Sequence, residues 1–344
     1  MIRNENMTTI LVTGGCGYIG SHTIVDLIAN GFDVISVDDN SRSDREVVQG
    51  IQRITGKPLI NYSIDMKDYE ALEAVFLKHT IHGIIHFAAY KSVVESVSEP
   101  LMYYHNNIGS LVNLLMCAER YKVKDIVFSS SCTVYGSPEK YPVTEQTPLR
   151  PANCAYGSTK QMGEDILRYF VGRPTNEQRV CLLRYFNPAG AHPSLEIGED
   201  PRGGVQSLTP AIMAVASGRK AGPLQVFGSD YQTRDGTCIR DFIHVCDIAA
   251  AHTKALLYMM EKGSVCSVFN LGAGSGVTVL EAIKAFETVS GRSLDYVLTD
   301  RRAGDVEAIY ADNSHASNEL LWETKYTIED IMRSAWLYET KPRA

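Results

Sequence analysis

The chain has 344 residues, 44% hydrophobic and 21% charged, which is enough to bury one large or two ordinary cores and excludes a disordered or low-complexity protein. A formal net charge of −7 without any concentrated basic run argues against a protein held on nucleic acid by phosphate contacts, and small molecules become the expected partners. The eight cysteines, at positions 16, 117, 132, 154, 181, 238, 246 and 266, form no Cys-x-x-Cys pair and no zinc-spaced cluster, so neither a metal site nor a disulfide framework is expected.

The first residues, MIRNEN, are polar, and the chain carries no long apolar span. A cytoplasmic protein without a membrane partner, its thiols buried in a reducing compartment, is the expectation. From Thr9 onward short β-branched runs alternate with longer helical stretches: ILVT, SHTIVDLIAN, DVISV, a helix-like stretch, LINYSI, a helix around Glu70 to Lys78, GIIHFAA, an apolar-periodic helix from Leu101 to Arg120, DIVFSSS, and a helix opening near Tyr156. Strands of near-continuous apolar residues alternating with helices require a parallel sheet wrapped on both faces, which predicts a doubly wound α/β fold of the Rossmann type. After CLLRYF, Pro and Gly become frequent and the alternation is lost. We therefore expect one domain over residues 1–186 and a smaller α/β substrate domain over 187–344, with segments near 237–272 (DFIHV, SVFNLGAG) returning to the first.

The stretch ILVTGGCGYIGSHTIVDLI sets Gly14, Gly17 and Gly20 between a strand and an amphipathic helix. A pyrophosphate needs this arrangement: one glycine for a tight turn, one for close approach of the backbone, one for helix–strand packing, with amides and the helix N-terminus facing the anion. Asp38 ends DVISVD about twenty residues on, where a carboxylate takes the adenine ribose hydroxyls and repels a 2′-phosphate. NAD is thus favoured over NADP, with Arg42 nearby leaving room for some tolerance of NADP. Asp65 and Met66, after the third strand, and Phe87, Ala88 and Ala89, after the fourth, stand at further strand ends of the same sheet and so face the cofactor by topology. His86, inside an apolar strand, reads as a core histidine.

In NCAYGSTKQMGEDILRYF, Tyr156 and Lys160 are four residues apart and share one helix face. An ammonium near a phenol favours the phenolate, so the tyrosine can act as a base well below its ordinary value of about 10. Ser131, closing the strand before this helix, completes a Ser–Tyr–Lys set in the chain order of short-chain dehydrogenases/reductases.

The segments TGGCGYIGSH, SSSCTVYG, AYGSTK, LRYFNPAGAHPS, IRDFIHVCDIA, FNLGAG and RRAGD, in this order over nearly the whole chain, closely resemble the UDP-glucose (UDP-galactose) 4-epimerase family of the extended short-chain dehydrogenases/reductases. The resemblance implies reversible interconversion of UDP-glucose and UDP-galactose with tightly bound NAD, regenerated in each turnover. Tyr156 would take the 4-hydroxyl proton while hydride passes from that carbon to the nicotinamide; the 4-keto sugar then turns over and is reduced on its other face. Lys160 would lower the Tyr156 pKa and bind the nicotinamide ribose, and Ser131 would hydrogen-bond the 4-oxygen. By the same resemblance Tyr18, Ile19, Asn40, Lys91 and Asn106 line the cofactor, with Asn107 an alternative register for Asn106. Tyr185 and Phe186 pack against sugar and nicotinamide, Asn187, Arg240 and Arg302 hold the diphosphate, Asp305 takes the uridine ribose, and Leu208 and Phe227 flank the uracil. It further implies a homodimer formed by the helices through 101–120 and 156–170.

Ile309 stands where the family has a size filter beside a sugar N-acetyl group, and is neither small nor a large aromatic, which leaves UDP-N-acetylhexosamines open. Cys132 replaces an expected alanine, and six residues precede Met7, beyond the usual start. A 4,6-dehydratase would carry an Asp-Glu pair after the serine, where this chain has Cys132 and Thr133. A UDP-glucuronate epimerase or another nucleotide-sugar enzyme of the superfamily stays as the alternative. A serine hydrolase lacks its Gly-x-Ser-x-Gly elbow.

Overall fold

The computed structural model describes residues 8–44, 46–199, 207–263, 265–302 and 305–342. The apolar runs of the first half all become strands: β1 (Thr9–Thr13), β2 (Asp33–Val37), β3 (Ile60–Tyr62), β4 (Gly83–His86), β5 (Asp125–Ser131) and β6 (Arg179–Tyr185). Between them lie α1 (Tyr18–Ala29), α2 (Glu46–Thr55), α3 (Tyr69–Lys78), α4 (Val93–Ser98), α5 (Pro100–Arg120), a 3₁₀ turn (Cys132–Tyr135) and α6 (Ala155–Val171). Beyond β6 come β7 (Asn187–Ala189), α7 (Leu208–Ala216), β8 (Leu224–Phe227), β9 (Ile239–Arg240), β10 (Phe242–His244), α8 (Val245–Lys262) and β11 (Cys266–Leu271). The chain closes with β12 (Val277–Thr278), α9 (Val279–Ser290), β13 (Tyr296–Thr299), β14 (Ala308–Ile309), α10 (Ser314–Leu320) and α11 (Ile328–Thr340).

Seven strands form one sheet in the order β11-β6-β5-β4-β1-β2-β3, and every pairing in it is parallel. Because side chains alternate along a strand, Ile10 and Val12 of β1 enter the core under α1 and α8, while Leu11 enters the core under α3, α5 and α6. Each of the three is fully buried, worth roughly 1.5–3 kcal/mol apiece by apolar transfer. A separate core gathers Ile212, Val226, Ile283, Phe286 and Met332 from α7, β8, α9 and α11.

The strand order reverses at β1, which pairs with β2 on one side and β4 on the other. In open parallel sheets the crevice beyond the carboxyl ends at such a reversal is where ligands bind. Two expected strands are corrected. LINYSI supplies only the three residues of β3, partly exposed at the sheet edge, and its Ser63 leaves the ladder to accept a hydrogen bond from Asn40. DFIHV does not rejoin the main sheet: β10 pairs with β7, and after three residues His244 caps α8 by accepting from the Cys246 amide. SVFNLGAG supplies β11 at the sheet's other edge. Among the described residues no helix is long and apolar enough to cross a membrane, and no group of three or more His, Cys, Asp or Glu is placed to hold a metal ion.

Candidate active site

A cleft of about 1670 Å³ opens at the strand ends and is lined by the β1–α1 loop, the ends of β2, β4, β5 and β6, the start of α6, and residues from α7, β8, β9 and β14. Its floor is the glycine turn. Gly14 has φ +70°, and a Cβ there would fall 2.8 Å from the Ala88 nitrogen; a Cβ on Gly20 would fall 2.2 Å from the Gly14 carbonyl oxygen. Bare backbone is therefore exposed to the cleft, with the N-terminus of α1 directly behind it.

Asp38 is the anionic end of this cradle. Its Oδ2 accepts from the Cys16 amide (2.9 Å), and its Oδ1 from the Asn40 amide (2.9 Å) and the Ser43 hydroxyl (2.8 Å). Burial holds the carboxyl above the usual carboxylate range, opposed in part by these three donors. Asn40 follows at the same strand end. It takes a left-handed turn (φ 58°), donates its side chain to the Asp38 carbonyl and Ser63, and so positions Asp38. Arg42 lines the cleft with its charge already paired: its guanidinium grips both Glu95 carboxylate oxygens (3.1 and 2.9 Å) and lies 4.5 Å from the Tyr90 ring centre.

Gly14, Gly17, Tyr18, Ile19, Gly20, Asp65, Met66, Phe87, Ala88, Ala89, Lys91 and Asn106 all line the cleft. The Tyr18 hydroxyl donates to the Gly190 carbonyl (2.6 Å), and Lys91 pairs with Glu199 (3.2 Å). Of the neighbouring asparagines, Asn106 lines the cleft, whereas Asn107 is buried, accepting from the Tyr90 amide and donating to Thr159. His86 is buried against Thr13 (2.7 Å) and Phe128 and does not line the cleft.

Ser131, Tyr156 and Lys160 meet at the opposite end. Ser131 is the last residue of β5, Tyr156 lies in the first turn of α6, and Lys160 follows one turn on. Cys154 caps this helix, its sulfur accepting from the Gly157 amide (3.5 Å). The Ser131 hydroxyl accepts from the Thr133 amide (3.2 Å) and lies beside the Tyr156 phenol, and the Lys160 ammonium lies 5.8 Å from the Tyr156 ring centre, donating to the Ser129 carbonyl (2.6 Å). Burial pushes the phenol well up and draws Lys160 down to about 7. Cys132 beside them is pushed up to about 12 by burial, which makes it a poor nucleophile. Tyr185 lines the cleft with its hydroxyl against His252 (2.6 Å), and Phe186 packs with Cys132 and Ile309.

Further along, Asn187, Leu208, Phe227, Arg240, Arg302 and Asp305 line the same cleft. Arg240 is anchored by the Ile239 and Val306 carbonyls (2.8 and 2.9 Å), and Arg302 donates to Asp305 (2.8 Å) above the Phe227 ring. Ala303 and Gly304 of the RRAGD segment, like residues 1–6, lie outside the described residues. Three polar atoms in the wall, Thr133 Oγ1, Asn187 Oδ1 and Thr209 Oγ1, are buried without a protein partner. Such orphaned atoms are costly unless a ligand or water meets them. A cradle that any Cβ would fill, next to orphaned polar groups and two arginines, fits a dinucleotide beside a second phosphorylated ligand. Thr133 was not among the sequence candidates, since nothing in its spacing shows that its hydroxyl ends unpaired.

A family model described as "GDP-mannose 4,6 dehydratase" matches residues 11–335. A UDP-glucose 4-epimerase of Bacillus subtilis (strain 168) is 48% identical over 331 residues, covering 96% of each chain. The UDP-glucose 4-epimerase uge1 of Schizosaccharomyces pombe is 47% identical over 337 residues, 97% of this chain and 94% of that one. Among solved structures, the UDP-glucose 4-epimerase from Bifidobacterium longum in complex with NAD+ and UDP superposes with a TM-score of 0.91 at 44% identity, covering 97% and 98% of the two chains.

Proposed function

This chain belongs to the UDP-glucose 4-epimerase family of extended short-chain dehydrogenases/reductases, and on that premise we propose that it interconverts UDP-glucose and UDP-galactose with NAD as cofactor. The observation that carries the proposal is the convergence of Ser131, Tyr156 and Lys160 on the cleft floored by the Gly14–Gly20 cradle. When bound, NAD supplies the chemistry that oxidises the sugar 4-carbon and then reduces it again. The Gly14, Gly17 and Gly20 backbone holds its pyrophosphate, Asp38 its adenine ribose, and Lys160 its nicotinamide ribose.

The chain's own residues move the proton. Tyr156 takes it from the 4-hydroxyl and returns it after the keto sugar has turned over, while Ser131 keeps the 4-oxygen in hydrogen-bond reach. Burial favours the neutral form of each partner of the Tyr156–Lys160 unit, pushing the phenol up and drawing Lys160 down to about 7. The α6 N-terminus and the lysine charge favour the anionic phenol within that unit. Asn187, Arg240 and Arg302 hold the diphosphate, Asp305 the uridine ribose, and Leu208 and Phe227 the uracil. Fixing UDP while leaving the sugar lightly held is what allows the rotation. Cys132 and Thr133 occupy the place of a dehydratase's acids, so the 4-keto sugar has no partner there for losing water. Ile309, buried in one cluster with Phe186, leaves UDP-N-acetylhexosamines open as further substrates.

We assign residues 1–186 to the NAD lobe and 187–344 to the UDP-sugar lobe, with the span near 237–272 crossing back; β11 in the main sheet and α8 against α1 support this. The pairing partner is a second copy of the chain. Leu101 and Met116 on α5 and Met162 and Tyr169 on α6 are exposed apolar side chains on adjacent helices, which a homodimer would cover. Light scattering at micromolar concentration is expected to give twice the chain mass, and a monomer mass would contradict the dimer.

The test of the assignment is incubation of purified protein, with no cofactor added, with UDP-galactose. Formation of UDP-glucose is expected, and its absence would overturn the proposal. Asp38→Ala removes an anionic acceptor. Hydrogen bonds to charged groups are worth about 1.5–3 kcal/mol, so NAD retention through gel filtration should weaken about 10- to 100-fold.

A further inference from the structure

One helical turn beyond Lys160, Glu164 is fully buried. An unpaired carboxylate there would be strongly unfavourable, and this one is saturated with donors. Its Oε1 accepts from the Ser130 hydroxyl (2.6 Å) and Arg184 Nε (2.8 Å). Its Oε2 accepts from Arg184 Nη2 (2.6 Å) and from Arg168 Nη2 (2.9 Å). Arg184, 2% exposed, gives its remaining Nη1 to the Tyr135 hydroxyl (2.9 Å), which donates to Asn270 Oδ1 (2.6 Å).

The anchors of this network each adjoin a residue of the site. Ser130 and Arg184 are direct partners across β5 and β6, and the next pair in the ladder is Ser131 with Tyr185. Strand alternation places the two pairs on opposite faces. Tyr135 closes the 3₁₀ turn that carries Cys132 and Thr133, and Glu164 shares a face of α6 with Lys160. A shift of α6 against β5 would thus have to break the buried charge pair before it could separate Tyr156 from Ser131.

We infer that Glu164 is a positioning residue for the reaction: held by Ser130 and Arg184, it fixes α6 against β5 and β6 and supplies the buried anion that keeps Lys160 charged beside Tyr156. This rests on Tyr156 and Lys160 being the proton-handling pair. Among the described residues, the other groups packed against Lys160 offer no counter-charge: Phe128 and the Ser129 carbonyl from β5, Tyr156 from its own helix, and His86 from β4. Burial alone draws the lysine toward neutrality, and Glu164 opposes it.

The sign of the test follows from charge. Activity requires charged Lys160, so it falls as pH rises through the pKa of that lysine, on the basic limb of the kcat profile. Removing the anion lowers that pKa; removing its cationic partner raises it. With UDP-galactose, Glu164→Gln is expected to move the basic limb down by about one pH unit, a tenfold change in proton affinity, and Arg184→Gln to move it up. A purely structural pair would lower stability in both variants and leave the limb in place. Arg168→Gln runs in parallel because it leaves the buried pair intact; Arg168 is partly exposed, so its expected upward shift is smaller. Downward and upward displacement of the limb in the folded, NAD-loaded variants supports the inference, and superposed limbs in every folded variant overturn it. Unmodified protein and Tyr156→Phe are measured alongside. If the unmodified protein epimerises and Tyr156→Phe does not, superposed limbs count against Glu164 alone; if the unmodified protein is inactive, the assignment of the reaction has failed instead.

Discussion

Tyr156→Phe is expected to lower kcat for UDP-galactose by about 10²- to 10⁴-fold, the usual contribution of a positioned acid–base group. The substitution removes one oxygen and leaves the ring, so the packing of the first turn of α6 is kept. What is lost is the only group of the Ser131–Tyr156–Lys160 set assigned to exchange a proton with the 4-hydroxyl. Ser131 would then retain its backbone partner, the Thr133 amide (3.2 Å), and lose its contact with the phenol. Bound NAD, read from the absorbance released on denaturation, should be unchanged, which separates a chemical defect from a folding one. Turnover equal to that of the unmodified protein would remove Tyr156 from the mechanism.

The second large effect is expected from the cradle. In Gly20→Ala the new Cβ would sit 2.2 Å from the Gly14 carbonyl oxygen and 3.0 Å from Gly15 Cα. Both are backbone atoms, so relief requires α1 to move away from β1. Overpacking of this kind typically costs about 1–3 kcal/mol, and the displaced helix N-terminus no longer faces the pyrophosphate. Protein purified as Gly20→Ala should carry little NAD, show no epimerisation unless NAD is added, and unfold at a lower temperature. A full complement of NAD in this variant would show that close helix–strand approach at Gly20 is not required.

Much of this architecture was legible because it is local. A near-continuous apolar run such as DIVFSSS can be buried on both faces only in a covered parallel sheet, and every residue of β5 is buried. The glycine turn, Asp38, and the i, i+4 pair Tyr156 and Lys160 are likewise set by spacing along the chain. Long-range effects were not legible. The left-handed backbone of Asn40 and its hydrogen bond to Ser63, 23 residues on, which turn it toward Asp38, have no signal in the chain order. Arg42 reads as a cation beside the adenine ribose, but Glu95 on α4 holds it 53 residues away in sequence. DFIHV has the composition of a sheet strand, and only the fold shows that β7 is its partner. Glu164 has a helical neighbour in Lys160 that spacing reveals, whereas its closest partner, Arg184, arrives from a strand twenty residues later.

The central claim is that the 4-carbon is oxidised and reduced within one site, with the removed hydrogen returned to the same sugar. It is tested most directly with UDP-galactose deuterated at C4, incubated with the purified protein in ordinary water and no added cofactor, with the product analysed by mass spectrometry and NMR. The account predicts UDP-glucose that retains deuterium at C4. Product carrying hydrogen from water at C4 would contradict it.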